Sequence, residues 1–297
     1  MGCFKPLTAH RLDDGSISFS AKSGEGDALK LPCGQCIGCR IDRSKMWAVR
    51  CMHEASLYDD NIFITLTYAD EYLPENGNLD YSHFQKFMKR LRKRFSKRNI
   101  RFYMCGEYGE QNWRPHFHAI LFNFKFEDLE VWKKTGSGSM IYRSKVLEEL
   151  WPFGHSSVGD VTLQSAGYVA RYVMKKINGD LAKSHYERVN VDTGEVVDLV
   201  PEFNRMSLKP GIAQGWFDKF YSDVYPRDAV VLEGGQKMKP PKYYDLKYDA
   251  IAPYEFEAIQ QERILRALAR SSESTPERLA VKEEVLSSKA QKLFRSL

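Results

Sequence analysis

Two segments rich in β-branched and aromatic residues, separated by a short polar stretch, constrain this sequence most. The segments IRFYMCG at 100–106 and HFHAILFNF at 116–124 have the composition typical of β-strands. Residues 107–115 between them are predicted to form a turn. The pair therefore predicts a β-hairpin, and in a strand the residues at i and i+2 point to the same face of the sheet.

The segments around the hairpin predict an alternation of strands and helices between about residues 60 and 180. Further strands are expected at 61–68 (NIFITLTY) and 155–163. Helices are expected at 82–98, where apolar residues recur at helical spacing, and at 166–177. Residues 126–151 are predicted to be helical in part. The order β-α-β-β-α-β-α predicts an α+β fold, an antiparallel sheet with helices on one face.

Three regions of the chain follow from this pattern. Residues 1–58 contain most of the cysteines and a predicted helix from residue 40. Residues 59–180 form the predicted core. Residues 181–297 are a C-terminal extension that prolines interrupt before two predicted terminal helices, and its sequence indicates no function.

Composition and charge restrict the class of protein. The chain has 297 residues, with 44 Lys and Arg against 39 Asp and Glu, for a net charge of +5. The first ten residues lack the apolar segment of a secretory signal, and no run of about 18 apolar residues would span a membrane. We therefore expect a cytosolic protein without a membrane partner.

Basic residues concentrate between positions 82 and 101. Nine lysines and arginines lie there without an acidic residue, among them Lys89, Arg92 and Lys93. On an amphipathic helix such a run is either an ordinary solvated face or a surface that binds nucleic-acid phosphates, and the sequence leaves both interpretations open.

Histidines at 116 and 118 lie two residues apart on a predicted strand, so both imidazoles point to one face. Two histidines at this spacing can be structural, or they can bind one metal ion. Glu107 or Glu110, just upstream, would add a carboxylate. Such a set suits a divalent ion, Mg²⁺ or Mn²⁺, acting as a Lewis acid on a phosphate.

Tyr168 and Tyr172 lie four residues apart on a predicted helix and therefore share a face. Arg171, Lys175 and Lys176 lie beside them. The pair is either aromatic packing or a pair of nucleophiles, since a phenol with a pKa near 10 needs a nearby cation to react.

Six cysteines lie at positions 3, 33, 36, 39, 51 and 105. The spacing C-x2-C-x2-C of Cys33, Cys36 and Cys39 is typical of zinc ligands, and a structural Zn²⁺ is the favoured interpretation. An iron–sulfur cluster and a metal-free cluster are the alternatives. Cys3 is the favoured fourth ligand, ahead of Cys51 or His53.

Trp113 lies in the predicted turn before His116. An indole there can stack on an unpaired base, or it can be an ordinary partly buried tryptophan.

Four motifs together are specific. The segments ITLTY at 64–68, Glu107 with RPHFHAILF at 114–122, GYVARYVMKK at 167–176 and CGQCIGCR at 33–40 resemble the HUH endonuclease superfamily. Within it, they are most similar to the replication initiators of gokushovirus-type microviruses, which are small single-stranded DNA phages. The resemblance covers roughly residues 30–180.

The resemblance implies a fold and a set of site residues. The fold is an HUH/RRM-like antiparallel sheet of about five strands flanked by helices. His116 and His118 match the metal ligands, and Glu107 matches the third ligand best, with Glu110 in reserve. Tyr168 and Tyr172 match the two nucleophiles, and Lys175 matches the lysine that follows them.

The activity that the resemblance implies is rolling-circle replication initiation. The protein would nick single-stranded DNA at the replication origin, form a 5′-phosphotyrosine and leave a 3′-OH for a host polymerase. The sequence has no P-loop, so we expect a host helicase, in the cytoplasm of the infected bacterium. The residues expected to contact DNA are Lys89, Arg92, Lys93, Trp113, Arg114, Arg171 and Lys176.

Two alternatives remain. One is a two-tyrosine HUH transposase or relaxase. The other is a zinc-bearing single-strand DNA-binding module with no enzymatic activity.

Overall fold

The computed structural model describes residues 2–14, 16–20, 27–109, 112–136, 138–171, 180–189 and 194–295. Strands within these ranges are β1 Leu7–Arg11, β2 Ile17–Ser18, β3 Asp27–Leu31, β4 Asn61–Tyr68, β5 Arg101–Tyr108, β6 Pro115–Phe122, β7 Glu130–Lys134, β8 Met140–Arg143, β9 Gly154–Asp160, β10 Glu187–Val189, β11 Val196–Asp198, β12 Phe203–Met206, β13 Val230–Val231 and β14 Lys237–Met238. Helices there are α1 Ile37–Ala55, α2 Tyr81–Arg94, α3 Lys145–Leu150, α4 Leu163–Arg171, α5 Asp180–Tyr186, α6 Gln214–Val224, α7 Lys242–Ile251, α8 Pro253–Leu268 and α9 Pro276–Arg295.

An antiparallel sheet of seven described strands, in the order β12-β5-β6-β4-β9-β8-β7, is the centre of the fold. Strand β4 (NIFITLTY) is a central strand of this sheet. Its side chains are alternately half-buried and buried, as expected for a strand that packs one apolar face against the core. The predicted α+β class and antiparallel sheet are confirmed.

The sheet is wider than the five strands predicted. Part of the region 126–151 forms the hairpin β7–β8, and only Lys145–Leu150 is helical. Strand β12 comes from the predicted extension and pairs with β5 at the sheet edge. Four-residue strands such as β8 and β12 carry too short a pattern to be recognised from sequence.

Helices pack on both faces of the sheet, so the prediction of helices on one face was wrong. Phe84, Phe87, Met88 and Leu91 of α2 join the core cluster that contains Phe117, Ala119 and Leu121 of β6. The alternate residues of β6 point the other way, and on that face the ring of Tyr168 in α4 meets His118. Both faces of the central strands are therefore covered.

The chain divides into two compact units, residues 44–253 and residues 1–43 with 254–297. Strand β12, from the predicted extension, lies in the first unit with the rest of the sheet, and the division predicted at 58 and 180 stays a prediction. In the second unit, β1 pairs with β2 and β3, and α8 and α9 come from the C-terminal residues. Among the described helices, none combines the length and the apolar character that a membrane span requires.

A buried ion pair ties α1 to the sheet and to the chain after β12. Arg101 Nε donates to Glu54 Oε1 at 2.5 Å, and both side chains are almost fully buried. Glu54 Oε2 accepts from the amide of Ala213 at 2.6 Å, and Arg101 Nη2 donates to the carbonyl of Pro210 at 2.8 Å. Both charges are thus hydrogen-bonded on two sides, as a buried pair requires.

We predict that Glu54→Ala lowers the free energy of unfolding by about 3–5 kcal/mol, since it leaves the Arg101 guanidinium buried without a counter-ion. Urea denaturation measures the change. The matched control is Glu149→Ala, which breaks the exposed pair with Arg94 and should cost less than about 1 kcal/mol. Equal losses in the two variants would contradict this account.

Candidate active site

Three side chains from the predicted hairpin converge on one point. Glu107 lies on β5, opposite His116 of β6 in the strand register, and His118 follows two residues later on the same face. Glu107 Oε1 lies 2.6 Å from His116 Nε2 and 3.0 Å from His118 Nε2. The three ligand atoms all lie within 4.8 Å of one another, so these residues could hold a metal ion.

The far nitrogen of each imidazole is held by a second contact. His116 Nδ1 lies 3.0 Å from the carbonyl of Arg114, which can only accept, so the ring can donate a hydrogen bond there from Nδ1. A neutral ring that donates there from Nδ1 could offer the lone pair of Nε2 to a metal ion. His118 Nδ1 lies 2.9 Å from the hydroxyl of Thr65 on β4. Such outer contacts fix the orientation of metal-binding histidines.

Glu107 is held as a carboxylate. It is only 1% exposed, and burial alone would raise its pKa. The hydrogen bonds and the positive charge that His116 and His118 can carry outweigh burial and lower the pKa of Glu107. A buried carboxylate is tolerated only with such partners, and one carboxylate with two imidazoles is a donor set that fits a divalent transition-metal ion.

Tyr168 lies beside this group. Its ring, on α4, contacts the imidazole of His118 edge to face at a centroid distance of 5.1 Å, and it lies 6.3 Å from the ring of Phe63 on β4. Tyr168 is half-buried. The structure therefore brings the first predicted tyrosine and the three predicted metal ligands together, from three elements, β5, β6 and α4.

Several predicted site residues lie outside the described residues: Glu110, Tyr172, Lys175 and Lys176. Arg171 is the last described residue of α4.

The basic residues of α2 lie elsewhere. Lys89, Arg92 and Lys93 are exposed, on the helix whose apolar side packs against the sheet face opposite the histidines. The Arg92 guanidinium also donates to the carbonyl of Ile100 at 2.9 and 3.2 Å. The structure does not bring these three residues to the metal group, and their role in DNA binding stays a prediction.

Trp113 and Arg114 flank the hairpin turn. The Trp113 ring lies 3.7 Å from the Arg188 guanidinium and 5.2 Å from the His185 ring, so it is packed in part. Arg114 donates to the carbonyl of Tyr68 at 2.9 Å and pairs with Asp70. Both residues are close in sequence to His116, but these contacts fix the conformation of the turn, and the role of both residues in DNA binding stays a prediction.

Four cysteines form a second group that could hold a metal ion. The sulfur atoms of Cys3, Cys33, Cys36 and Cys39 all lie within 4.8 Å of one another. Cys3 thus occupies the place of the favoured fourth ligand. Amides of Phe4 and Cys33 donate to the sulfurs of Cys36 and Cys3 at 3.3 and 3.2 Å, contacts that suit thiolates.

Gly38 permits the approach of the N-terminal segment that carries Cys3. A Cβ atom at position 38 would lie 2.4 Å from the carbonyl oxygen of Gly2 and 2.8 Å from the ring of Phe4. Only glycine leaves room for that backbone.

Sequence reasoning missed Thr65 and Phe63 as parts of the site. Both lie in or beside ITLTY, but their role depends on the pairing of β4 with β6, which sets Thr65 opposite His118. Strand partners distant in sequence leave no local signal.

We predict that Thr65→Val weakens binding of Mn²⁺ by about 10–100-fold, since the loss of an outer contact to a metal-binding histidine has that effect. Isothermal titration calorimetry measures the affinity. His10→Ala, in the other compact unit, is the control and should bind like the wild type. Unchanged affinity in Thr65→Val would show that Thr65 does not orient His118.

Comparisons with known proteins show which family the chain resembles. A family model described as replication-associated protein ORF2/G2P matches residues 61–177, which include every described residue of the site. The chain is 36% identical over 253 residues to replication-associated protein VP4 of Bdellovibrio phage phiMH2K, covering 82% of this chain and 76% of that protein. No solved structure matches the chain.

Two further relatives are similar to the chain. Replication-associated protein ORF2 of Spiroplasma virus 4 is 34% identical over 273 residues, covering 84% of this chain and 81% of that protein. Replication-associated protein ORF4 of Chlamydia phage 1 is 40% identical over 217 residues, or 66% and 54% of the two chains. The chain therefore belongs to the family of phage replication-associated proteins, which confirms the family predicted from its motifs.

Proposed function

We propose that the protein initiates rolling-circle replication by nicking and rejoining one DNA strand at the replication origin. The observation that carries the proposal is the contact of Tyr168 with His118, which belongs to a set of three side chains able to hold a metal ion. A phenol beside residues able to hold a metal ion is the arrangement that cleavage through a phosphotyrosine needs, with the phenol as nucleophile and the ion as Lewis acid.

The reaction exchanges one phosphorus–oxygen bond for another. The phenol oxygen of Tyr168 attacks the phosphorus and loses its proton, and the bond to the 3′ oxygen breaks. The products are a 5′-phosphotyrosine and a 3′-OH, whose oxygen takes up a proton. Because the phosphodiester is conserved in the protein–DNA link, rejoining needs no ATP. A divalent ion held by Glu107, His116 and His118, Mg²⁺ or Mn²⁺, would supply Lewis-acid stabilisation of the charge on the phosphate.

The chain's own residues hold the reacting groups in position. The strand register places Glu107 opposite His116, and Thr65 and the Arg114 carbonyl orient the two rings. Tyr168 stands on a helix rather than a loop, which limits its freedom relative to the phosphate.

Tyr172 is proposed as a second nucleophile and Lys175 as the cation beside the pair. Tyr172, four residues after Tyr168 in the sequence, would cut the regenerated origin while the first DNA end rejoins the new 3′-OH.

The proposed partners follow from the products. The 3′-OH would be extended by a host polymerase, and a host helicase would unwind the duplex, in the cytoplasm of the infected bacterium. A transposase or relaxase would use the same chemistry, but the relatives are named replication-associated proteins, which favours the initiator. A binding module without activity would need neither the metal ligands nor Tyr168.

We predict that wild-type protein with Mn²⁺ forms a covalent adduct with the 5′ end of single-stranded origin DNA. The adduct should disappear in Tyr168→Phe/Tyr172→Phe, because both nucleophiles are lost, and fall by at least about a hundredfold in His116→Ala, because transition-state charge loses its stabilisation. Denaturing gel electrophoresis of labelled DNA measures it.

Tyr254→Phe is the matched control, since Tyr254 is 84% exposed and lies in the other unit; it should react like the wild type. Binding of single-stranded DNA without an adduct under any divalent ion would support the binding module and contradict the enzyme.

We also propose that Cys3, Cys33, Cys36 and Cys39 hold a structural Zn²⁺, because four thiolates are a donor set typical of zinc. The four thiols differ: burial raises the pKa of Cys36, but amide and thiol hydrogen bonds outweigh it and lower that pKa to about 7, whereas burial raises the pKa of Cys3 and of Cys39. Cys36 is therefore the thiol in this group that most readily forms a thiolate.

Elemental analysis tests the zinc proposal. We predict one zinc per chain in the wild type and in Cys51→Ala, since Cys51 is buried outside the group, and none in Cys36→Ser. Iron, or no metal in the wild type, would contradict it.

A further inference from the structure

A cavity of about 710 Å³ lies at the far end of β5 from Glu107. The loop 206–212 after β12 forms one wall, and Trp47 and Arg50 of α1 and Tyr243 and Lys247 of α7 line the rest. The described residues that line it include none of the proposed metal ligands and not Tyr168, so the cavity is a separate feature of the same compact unit.

Arg50 is a buried cation within this cavity. It is 9% exposed, and its guanidinium lies between the rings of Trp47 and Tyr243, at 4.1 and 3.9 Å from their centroids. Its Nε and Nη2 donate to the carbonyl of Ile212 at 3.2 and 2.9 Å. Within the described part of the chain, no carboxylate forms an ion pair with it. Burial lowers the pKa of Arg50, as expected for a desolvated guanidinium.

A buried charge normally has a counter-ion, because desolvating an unpaired one is costly. Two acidic residues, Glu54 and Asp218, lie near the Tyr243 phenol that stacks on Arg50, but neither is its counter-ion. Glu54 is bound by Arg101 and by the amide of Ala213, and Asp218 accepts from the side chain of Gln214 at 2.6 Å.

Two further cations line the cavity, and among the described residues that line it there is no Asp or Glu. Lys209 is exposed on the wall formed by the loop, and Lys247 is half-exposed on α7. Three cations around one open, carboxylate-free cavity create a positive potential that favours an anion.

The cavity lies on the sheet face that carries the metal ligands. Trp47 stacks on Tyr103 of β5 at 5.0 Å. Tyr103 and Glu107 are four residues apart on that strand and so share a face, about 13 Å apart at 3.3 Å per residue. A phosphate bound beside Arg50 would therefore belong to a nucleotide only a few positions along the DNA from the one held at Tyr168.

We propose that Arg50, Lys209 and Lys247 bind a backbone phosphate of the single DNA strand. This inference rests on the proposed function, since it assumes DNA as the substrate. The guanidinium of Arg50 and the ammonium groups of the two lysines can donate hydrogen bonds to the oxygens of one phosphate. The phosphate of a free nucleotide has the same chemistry and is the other source to be distinguished.

The test measures binding of a fluorescein-labelled single-stranded thymidine oligonucleotide by anisotropy over a range of salt concentrations, without added Mg²⁺ or Mn²⁺ so that no cleavage occurs. The variants are Lys209→Gln/Lys247→Gln, which alters accessible side chains, and Arg50→Gln. The matched control is Lys145→Gln/Lys219→Gln, which removes two exposed lysines elsewhere in the same unit.

We expect the Lys209→Gln/Lys247→Gln variant to bind more weakly and its slope of log affinity against log salt to fall by up to about 0.7, the value for the single phosphate that the three cations bind on single-stranded DNA. The control should change neither. Arg50→Gln should weaken binding further; if it does not fold, the lysine variant still decides.

A wild-type slope and affinity in the lysine variant would overturn the proposal. So would ATP displacing the oligonucleotide as effectively as unlabelled DNA does, since the cavity would then be a nucleotide site. If the wild type forms the covalent adduct but the lysine variant binds normally, the phosphate site fails and the nuclease stands. If the lysine variant loses binding but the wild type forms no adduct, the phosphate site stands and the nuclease fails.

Discussion

The site depends on the register of three neighbouring strands. In this register Glu107 faces His116 across β5 and β6, and Thr65 faces His118 across β4 and β6. A shift of one residue along β6 would turn both imidazoles to the opposite face, where Phe117, Ala119 and Leu121 now join α2 in the core. The packing of those apolar residues therefore keeps the histidines beside Glu107 and Tyr168.

The second half of the chain also builds the site. Strand β12 closes the edge of the sheet beside β5, and Asn204 on it donates to the hydroxyl of Tyr103 at 3.1 Å and to the carbonyl of Val169 at 3.4 Å. Val169 follows Tyr168 on α4. The region with no motif in its sequence thus supports the helix that carries the proposed nucleophile, and it contributes the loop around Arg50.

The sequence predicted the parts of the site whose spacing is local. His116 and His118 alternate on one strand, the cysteines repeat every three residues, and the strands 61–68 and 100–106 have a strong β composition. It could not predict β12 or Thr65, because both act through partners distant in the chain. The basic residues of α2 show that a local pattern can also mislead about position. Their composition is typical of a DNA-binding surface, but the apolar side of α2 packs on the sheet face away from the histidines.

The most direct test of the account is to locate the nucleotide on the covalent adduct by mass spectrometry. Trypsin cleaves after Arg171, so Tyr168 lies on the peptide 146–171 and Tyr172 on the peptide 172–175. After Mn²⁺-dependent cleavage of origin DNA and nuclease digestion, we expect a nucleotide linked through its 5′ phosphate to Tyr168 in the peptide 146–171. A nucleotide found only on the peptide 172–175, or on neither peptide, would contradict the proposal that Tyr168 is the attacking nucleophile.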